Sequence, residues 1–218
     1  MKVILFGATG MVGQGVLREC LLDPDVTEVL AIGRSATGER DPKLREIIRT
    51  DFNDFEPIAA ELTGYDVCLF CLGVSAAGMN EAAYTKITYD VTTAAARTVL
   101  DRNPDLTFIY VSGAGTDSSE SGRAMWARVK GRTENDLLSM SPNAYMFRPG
   151  FIQPMHGVTS KTRLYRSIYA VSRPLYPLLR RTSFVTTSEQ LGRAMLVVAK
   201  RGAPTHVLEN RDINSVTQ

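Results

Sequence analysis

Three glycines at fixed spacing, Gly7, Gly10 and Gly13, follow at once on the apolar run at residues 2–6 and open a stretch, 11–22, whose apolar residues recur at helical spacing until Asp23-Pro24 stops it. A strand that passes through a glycine turn directly into a helix constrains everything after it. The helix must fold back over the strand, and the next strand must then run parallel to the first. The pattern repeats along the chain. Residues 29–32, 46–50, 67–72, 106–111 and 144–147 read as further short buried strands, and residues 58–62, 80–100 and 123–140 as helices between them. Asn103-Pro104 and Ser141-Pro142 end the two long helices. This alternation predicts an α/β fold: a doubly wound, mostly parallel sheet with helices on both faces. A chain of 218 residues with 44% hydrophobic content can bury one sizeable core but not two, so residues 1–218 are expected to form a single domain. Within it, 1–150 would be the core and 151–218 a small C-terminal segment over the substrate side. That segment comprises an irregular flap at 151–186, a helix opened by a capping box at Thr186-Thr187-Ser188-Glu189-Gln190 and running to Lys200, and a last strand around 207–213.

The sequence Gly7-Ala8-Thr9-Gly10-Met11-Val12-Gly13 stands where a doubly wound sheet binds dinucleotides. Gly7 suits the tight turn, Gly10 lets the backbone approach a pyrophosphate, and Gly13 allows the helix to pack closely on the strand. The amides at the start of the helix then face the anion. Thr9, Met11 and Val12 complete this phosphate-facing turn. After the second strand an acidic residue would bind ribose hydroxyls and repel a 2′-phosphate. This chain instead has Gly33-Arg34-Ser35, whose guanidinium and hydroxyl suit that phosphate, so NADP(H) is expected over NAD(H).

Other classes are disfavoured by composition. Lys and Arg number 25 against 23 Asp and Glu, so the net charge of +2 lacks the basic excess of a nucleic-acid binder. No segment approaches the roughly 18 consecutive apolar residues of a membrane span, and the short apolar run at the N-terminus, broken by Gly7, is no signal peptide. A cytoplasmic protein is expected. Cys68 and Cys71 form a CxxC, but on a strand side chains three apart point to opposite faces and can neither share a metal nor close a disulfide. No metal site is expected. The stretch 161–181 mixes Arg163, Arg166, Arg173, Arg180 and Arg181 with Tyr165, Tyr169 and Tyr176; Pro174 and Pro177 interrupt any long amphipathic helix, which favours a substrate-side flap over a membrane-binding surface.

The glycine loop, the Ile32-Gly33-Arg34 triplet, Asp51-Phe52, Cys71-Leu72-Gly73, Val111-Ser112-Gly113, Val129-Lys130-Gly131 and Arg148-Pro149-Gly150 together resemble the atypical short-chain dehydrogenase/reductases, the NmrA-like and NAD-dependent epimerase-like proteins of the Rossmann fold. The resemblance spans nearly the whole chain. It implies that Asp51 and Phe52 lie beside the adenine, Leu72 and Gly73 along the ribose, and Pro149 and Gly150 near the nicotinamide, all at strand carboxyl ends. It also implies an active-site Ser at Ser112, a ribose-binding Lys at Lys130, and a possible homodimer through the two long helices. In the wider superfamily a Tyr stands four residues before that Lys. Here the position is Trp126, whose indole N–H donates a hydrogen bond but exchanges no proton near neutral pH.

Cofactor binding survives this change, while simple alcohol chemistry loses its proton relay. The expected activity is an NADPH-dependent reductase acting on a small conjugated or carbonyl acceptor, with Ser112, Trp126, Lys130 and His156 around the reacting centre and His156 a candidate proton source. The alternative is a regulatory protein that senses NADP(H). A nucleotide-sugar epimerase is disfavoured because residues 148–218 offer little of the substrate domain such enzymes carry.

Overall fold

Strand β1 (Lys2–Phe6) is buried from Val3 to Phe6, and its alternation splits the core in two. Val3 and Leu5 enter one hydrophobic layer, Ile4 and Phe6 the other. A strand apolar on both faces must sit inside a sheet covered on both sides. The computed structural model, which describes residues 1–156 and 184–217, places it there. After β1 come α1 (Met11–Leu22), β2 (Glu28–Gly33), β3 (Leu44–Ile48), a 3₁₀ helix (Glu56–Leu62) and β4 (Val67–Phe70). Then follow α2 (Glu81–Thr85), α3 (Val91–Arg102), β5 (Thr107–Val111), α4 (Met125–Met140), β6 (Ala144–Arg148), β7 (Phe151–Gln153), β8 (Val185–Thr187), α5 (Ser188–Arg201), β9 (Val207–Glu209) and α6 (Asn210–Ser215).

Seven strands form one parallel sheet in the order β3-β2-β1-β4-β5-β6-β9, and β7 and β8 form a separate parallel pair. Strand order reverses between β1 and β4, which opens a crevice above their carboxyl ends. The expected doubly wound α/β architecture is therefore present. Cys20 of α1 and Leu191, Met195 and Val198 of α5 bury into the Val3–Leu5 layer, whereas Val91, Ala95 and Val99 of α3 and Leu137 of α4 cover Ile4 and Phe6. Cys68 lies in the second layer and Cys71 packs on the first, as strand alternation requires. Burial pushes both thiols above their ordinary value.

Several local expectations are corrected. The third strand runs Leu44–Ile48 rather than 46–50. As an outer strand with a single neighbour it is only half covered, leaving Ile48 52% exposed. The helix expected over 80–100 is interrupted by a π-helical turn, Lys86–Asp90. Its carbonyls accept from the helix that follows: the Thr92 hydroxyl donates to Thr88 at 2.5 Å and that of Thr93 to Tyr89 at 2.9 Å. The strand expected over 207–213 stops at Glu209, because Glu209 and Asp212 form a reciprocal cap that starts α6 instead. At α5 the cap is one-sided: Thr187 Oγ1 accepts from Gln190 N at 3.0 Å, while the Gln190 side chain reaches the Asn214 carbonyl. The Arg- and Tyr-rich stretch 161–181 lies outside the described residues. Among the described residues, no helix is long and apolar enough to cross a membrane.

Asn103, at the end of α3, uses every hydrogen-bonding position of its buried amide. Oδ1 accepts from Gly64 N (2.7 Å) and Tyr65 N (3.0 Å), and Nδ2 donates to the Leu62 (2.7 Å) and Val99 (2.8 Å) carbonyls. It thereby ties the loop before β4 to α3. Asn103→Ala should cost about 2–4 kcal/mol in urea unfolding by orphaning these four groups. Asn103→Asp, which turns two donors into acceptors facing carbonyls, should cost at least as much.

Candidate site at the carboxyl ends of the parallel strands

The turn after β1 is built by backbone contact. Gly7 has φ +81, and a Cβ there would lie 2.8 Å from Leu72 N and 2.9 Å from the Cys71 carbonyl, so turn and β4 end touch main chain to main chain. Gly13 is as tightly held: its Cβ would stand 2.1 Å from the Gly7 oxygen. Gly10 N donates to Gly7 O (2.9 Å) and Gln14 N to Gly10 O (2.8 Å). No side chain caps α1 and no acid occupies its first turn. The amides of Met11, Val12 and Gly13 thus stand ahead of the first intrahelical bond, at the positive end of the helix dipole. Gln14 Nε2 donates to the Thr9 carbonyl at 3.0 Å and steadies the loop. A Cβ on Gly10 would meet only Gly7 O, at 3.3 Å, and otherwise open space. This bare, amide-lined surface fits a diphosphate.

Around the crevice, Arg34 and Ser35 are exposed beyond β2. Asp51 is exposed, and its carboxyl is held below the usual carboxylate range by hydrogen bonds from Asn53 N and Nδ2. Phe52, by contrast, is 7% exposed and packs edge-on against Phe55, which does the same against Phe6. Its ring belongs to the core, so it can border a ligand chiefly through its backbone. Leu72 is half-buried and Gly73 exposed. Pro149 O accepts from Ala114 N at 2.8 Å, Gly150 N donates to Asn210 Oδ1 at 2.8 Å, and a Cβ on Gly150 would press to 2.3 Å from the Phe184 carbonyl. Packing against Phe184 is reason enough for that glycine.

Beside this crevice lies a buried ionic cluster. The Ser112 hydroxyl donates to the Glu134 carboxylate and lies 3.2 Å from the Phe147 carbonyl. Arg148 Nε bridges both Glu134 oxygens at 3.1 Å and Nη2 also donates to Glu134; Nη2 reaches Ser118 Oγ at 2.6 Å and Nη1 reaches Glu209 Oε1 at 3.1 Å. Glu134 is 1% exposed and Arg148 9%. Hydrogen bonds donated to the Glu134 carboxylate raise the Arg148 guanidinium further above its ordinary value. The cluster joins the ends of β5, β6 and β9 to α4. Its geometry turns the Ser112 hydroxyl inward, toward Glu134.

Lys130, one turn before Glu134 on α4, donates from Nζ to the Ser112 carbonyl. Burial lowers it to about 8, opposed by the Glu134 charge. Trp126, one turn earlier, is half-buried with its ring edge against Gly115. The structure brings Ser112, Trp126 and Lys130 together and leaves His156 elsewhere. His156, at φ +55, sits 2.7 Å from Glu189 of α5, which also pairs with Arg193. It borders a cavity of about 500 Å³ along α1 with Gln14, Leu17 and Arg18, in the opposite helical layer from α4. Glu134, Ser118 and Glu209 were not singled out from sequence. The available signal was an arginine closing a buried strand, which needs an acid, but nothing local says which of 23 acids it is.

Two outcomes follow for this cluster. Glu134→Leu should destabilise the fold by about 3–5 kcal/mol in urea unfolding, since Arg148 would keep only the Ser118 hydroxyl and one contact to the half-exposed Glu209. A lysine whose folded-state value lies near 8 against 10.5 unfolded carries a penalty that is full below pH 8 and gone above 10.5, because the unfolded chain holds the proton longer. The stability of Lys130→Met relative to wild type should therefore fall as pH rises through that window, measured by urea unfolding at each pH.

No protein-family model matches this chain. Among curated proteins it is similar to Protein FMP52, mitochondrial, of Meyerozyma guilliermondii, 27% identical over 193 residues that cover 81% of this chain and 79% of the relative. That name states no activity. Its mitochondrial designation, shared by further fungal relatives, overturns the cytoplasmic expectation. A short apolar run that folds as a buried strand carries no compartment information. Among solved structures the chain is similar to a thiolation-reductase di-domain from an archaeal non-ribosomal peptide synthetase (TM-score 0.70, 12% identity, 95% of this chain and 70% of that one). It is also similar to UDP-N-acetylglucosamine 4-epimerase of Methanobrevibacter ruminantium M1 (TM-score 0.70, 13% identity, 94% and 74%). The fold of this chain is thus the Rossmann-type fold that reductases and sugar-nucleotide epimerases share.

Proposed function

We propose that this chain binds a nicotinamide dinucleotide, with NADP(H) preferred, and reduces a small conjugated or carbonyl acceptor. The observation that carries the reading is the uncapped start of α1, where Gly7, Gly10 and Gly13 bare three amides at the switch point of a parallel sheet. Arg34 and Ser35, exposed at the end of the adjacent strand, supply donors for one further phosphate. Lys130 supplies an ammonium for the ribose hydroxyls. Bound there, the dinucleotide would supply the two electrons of the reduction. Several structures of like fold hold NAD by their descriptions, which supports this cofactor class.

The reductase reading over a sensing one is supported by the retained lysine beside a closed, desolvated cluster, since sensing alone needs no group of lowered proton affinity there. Titration calorimetry with NADPH, NADP+, NADH and NAD+ tests the binding. Saturable binding of the phosphorylated pair is expected, and no heat with any of the four would end the reading. Arg34→Glu should weaken NADPH binding by roughly 10- to 100-fold, while NADH, whose ribose hydroxyls can donate to the new carboxylate, binds at least as well as before. Steady NADPH oxidation across flavin, quinone and carbonyl acceptors tests the chemistry, which fails if none is turned over.

A further inference from the structure

The reduction just proposed needs a proton, and the superfamily's usual donor position holds Trp126. Three other groups expected at the reacting centre carry a proton that could be given, and the geometry removes two. The Ser112 hydroxyl is directed onto the Glu134 carboxylate, and His156 lies in the α5 layer against Glu189. Lys130 remains. Its Nζ donates one N–H to the Ser112 carbonyl at the end of β5, which leaves two N–H bonds for other partners. Its nearest acid, Glu134, is already engaged: Oε1 takes Ser112 Oγ and Arg148 Nε, and Oε2 takes Arg148 Nε and Nη2. Among the described residues Lys130 has no carboxylate within ion-pair distance, although Glu134 stands one turn away.

We infer that Lys130 is itself the acid of this site, delivering a proton from Nζ to the acceptor as it is reduced. The inference rests on the dinucleotide-dependent reductase reading. The balance is complete: the acceptor gains an electron pair with one hydrogen from the reduced dinucleotide, which is oxidised. The acceptor's oxygen or nitrogen takes H⁺ as one Nζ–H bond breaks. The neutral amine regains a proton from solvent.

The charged groups about Nζ account for its acidity. Glu134 on α4 favours the ammonium, but Arg148 of β6 neutralises that carboxylate, and Glu209 of β9 faces Arg148 rather than Lys130. Tyr110 of β5 and Tyr84 of α2 are buried phenols held above their ordinary value, hence neutral. Desolvation therefore prevails and brings Nζ to about 8, near the working pH that general acid catalysis favours. A lysine that only held ribose hydroxyls would gain nothing from this.

Trace acetylation of the whole cofactor-free protein with acetic anhydride, read by peptide mass spectrometry from pH 6 to 11, tests the acidity without turnover. Lys130 should reach half its limiting reactivity near pH 8, well below a free lysine side chain added as internal standard, which does so at about 10.4. Titration together with that free amine would overturn the inference. Lys130→Arg keeps a cation but cannot release its proton near neutral pH. It should hold NADPH within about threefold by calorimetry, yet lower kcat for NADPH oxidation by roughly 100-fold or more. It should also lose the fall in rate expected of wild type above pH 8. An Arg variant as fast as wild type, or a wild type inactive on every acceptor, would overturn the inference. Calorimetric binding of NADPH in either case would leave the dinucleotide site standing, whereas its absence would remove both.

Discussion

The close approach of two backbones at the end of β1 sets the terms for everything around it. Gly7 lies against the main chain of Cys71 and Leu72, and Gly13 lies against Gly7 itself, so the first turn of α1 is pressed onto the β1–β4 junction with no side chain between them. That contact aims the uncapped amides of α1 into the crevice made by the reversal of strand order. A methyl group at either glycine would meet backbone rather than a movable side chain. The bare, amide-lined surface therefore exists only while this contact does.

A second device works one strand further along, through charge. A buried carboxylate and guanidinium are costly to desolvate, and Glu134 and Arg148 meet that cost with each other and with hydrogen bonds to Ser112, Ser118 and Glu209. The pair locks three strand ends to α4 and so fixes where Trp126 and Lys130 stand. It also satisfies Glu134 from the far side, which leaves Lys130 in a desolvated place with a carbonyl as its hydrogen-bond partner. The lowered proton affinity of Lys130 thus comes from burial, with the charge of Glu134 acting against it.

The alternating strands and helices were legible because periodicity reports burial directly: Lys2–Phe6, apolar on both faces, can only be an inner strand. The glycine turn was legible because only glycine tolerates such crowding. What misled were features whose outcome depends on neighbours. The motif sets Phe52 beside the adenine, yet nothing in it announces that the ring is buried edge-on against Phe55. The run at 207–213 looked like one strand, yet Glu209 and Asp212 found each other and began a helix. Ser112 stands at the expected strand end with its hydroxyl turned to an acid 22 residues on.

By itself, then, the sequence determined the layered α/β architecture, the opposed faces of Cys68 and Cys71 and the bared turn after β1, because strand alternation, helical periodicity and glycine sterics act over a few residues. The tertiary structure alone decided that Glu134 answers Arg148, that His156 belongs to the α1–α5 layer, and that Lys130 sits desolvated beside Ser112. Those depend on distances between residues remote in the chain. Desolvation and ion pairing act through space, with no periodicity to announce them.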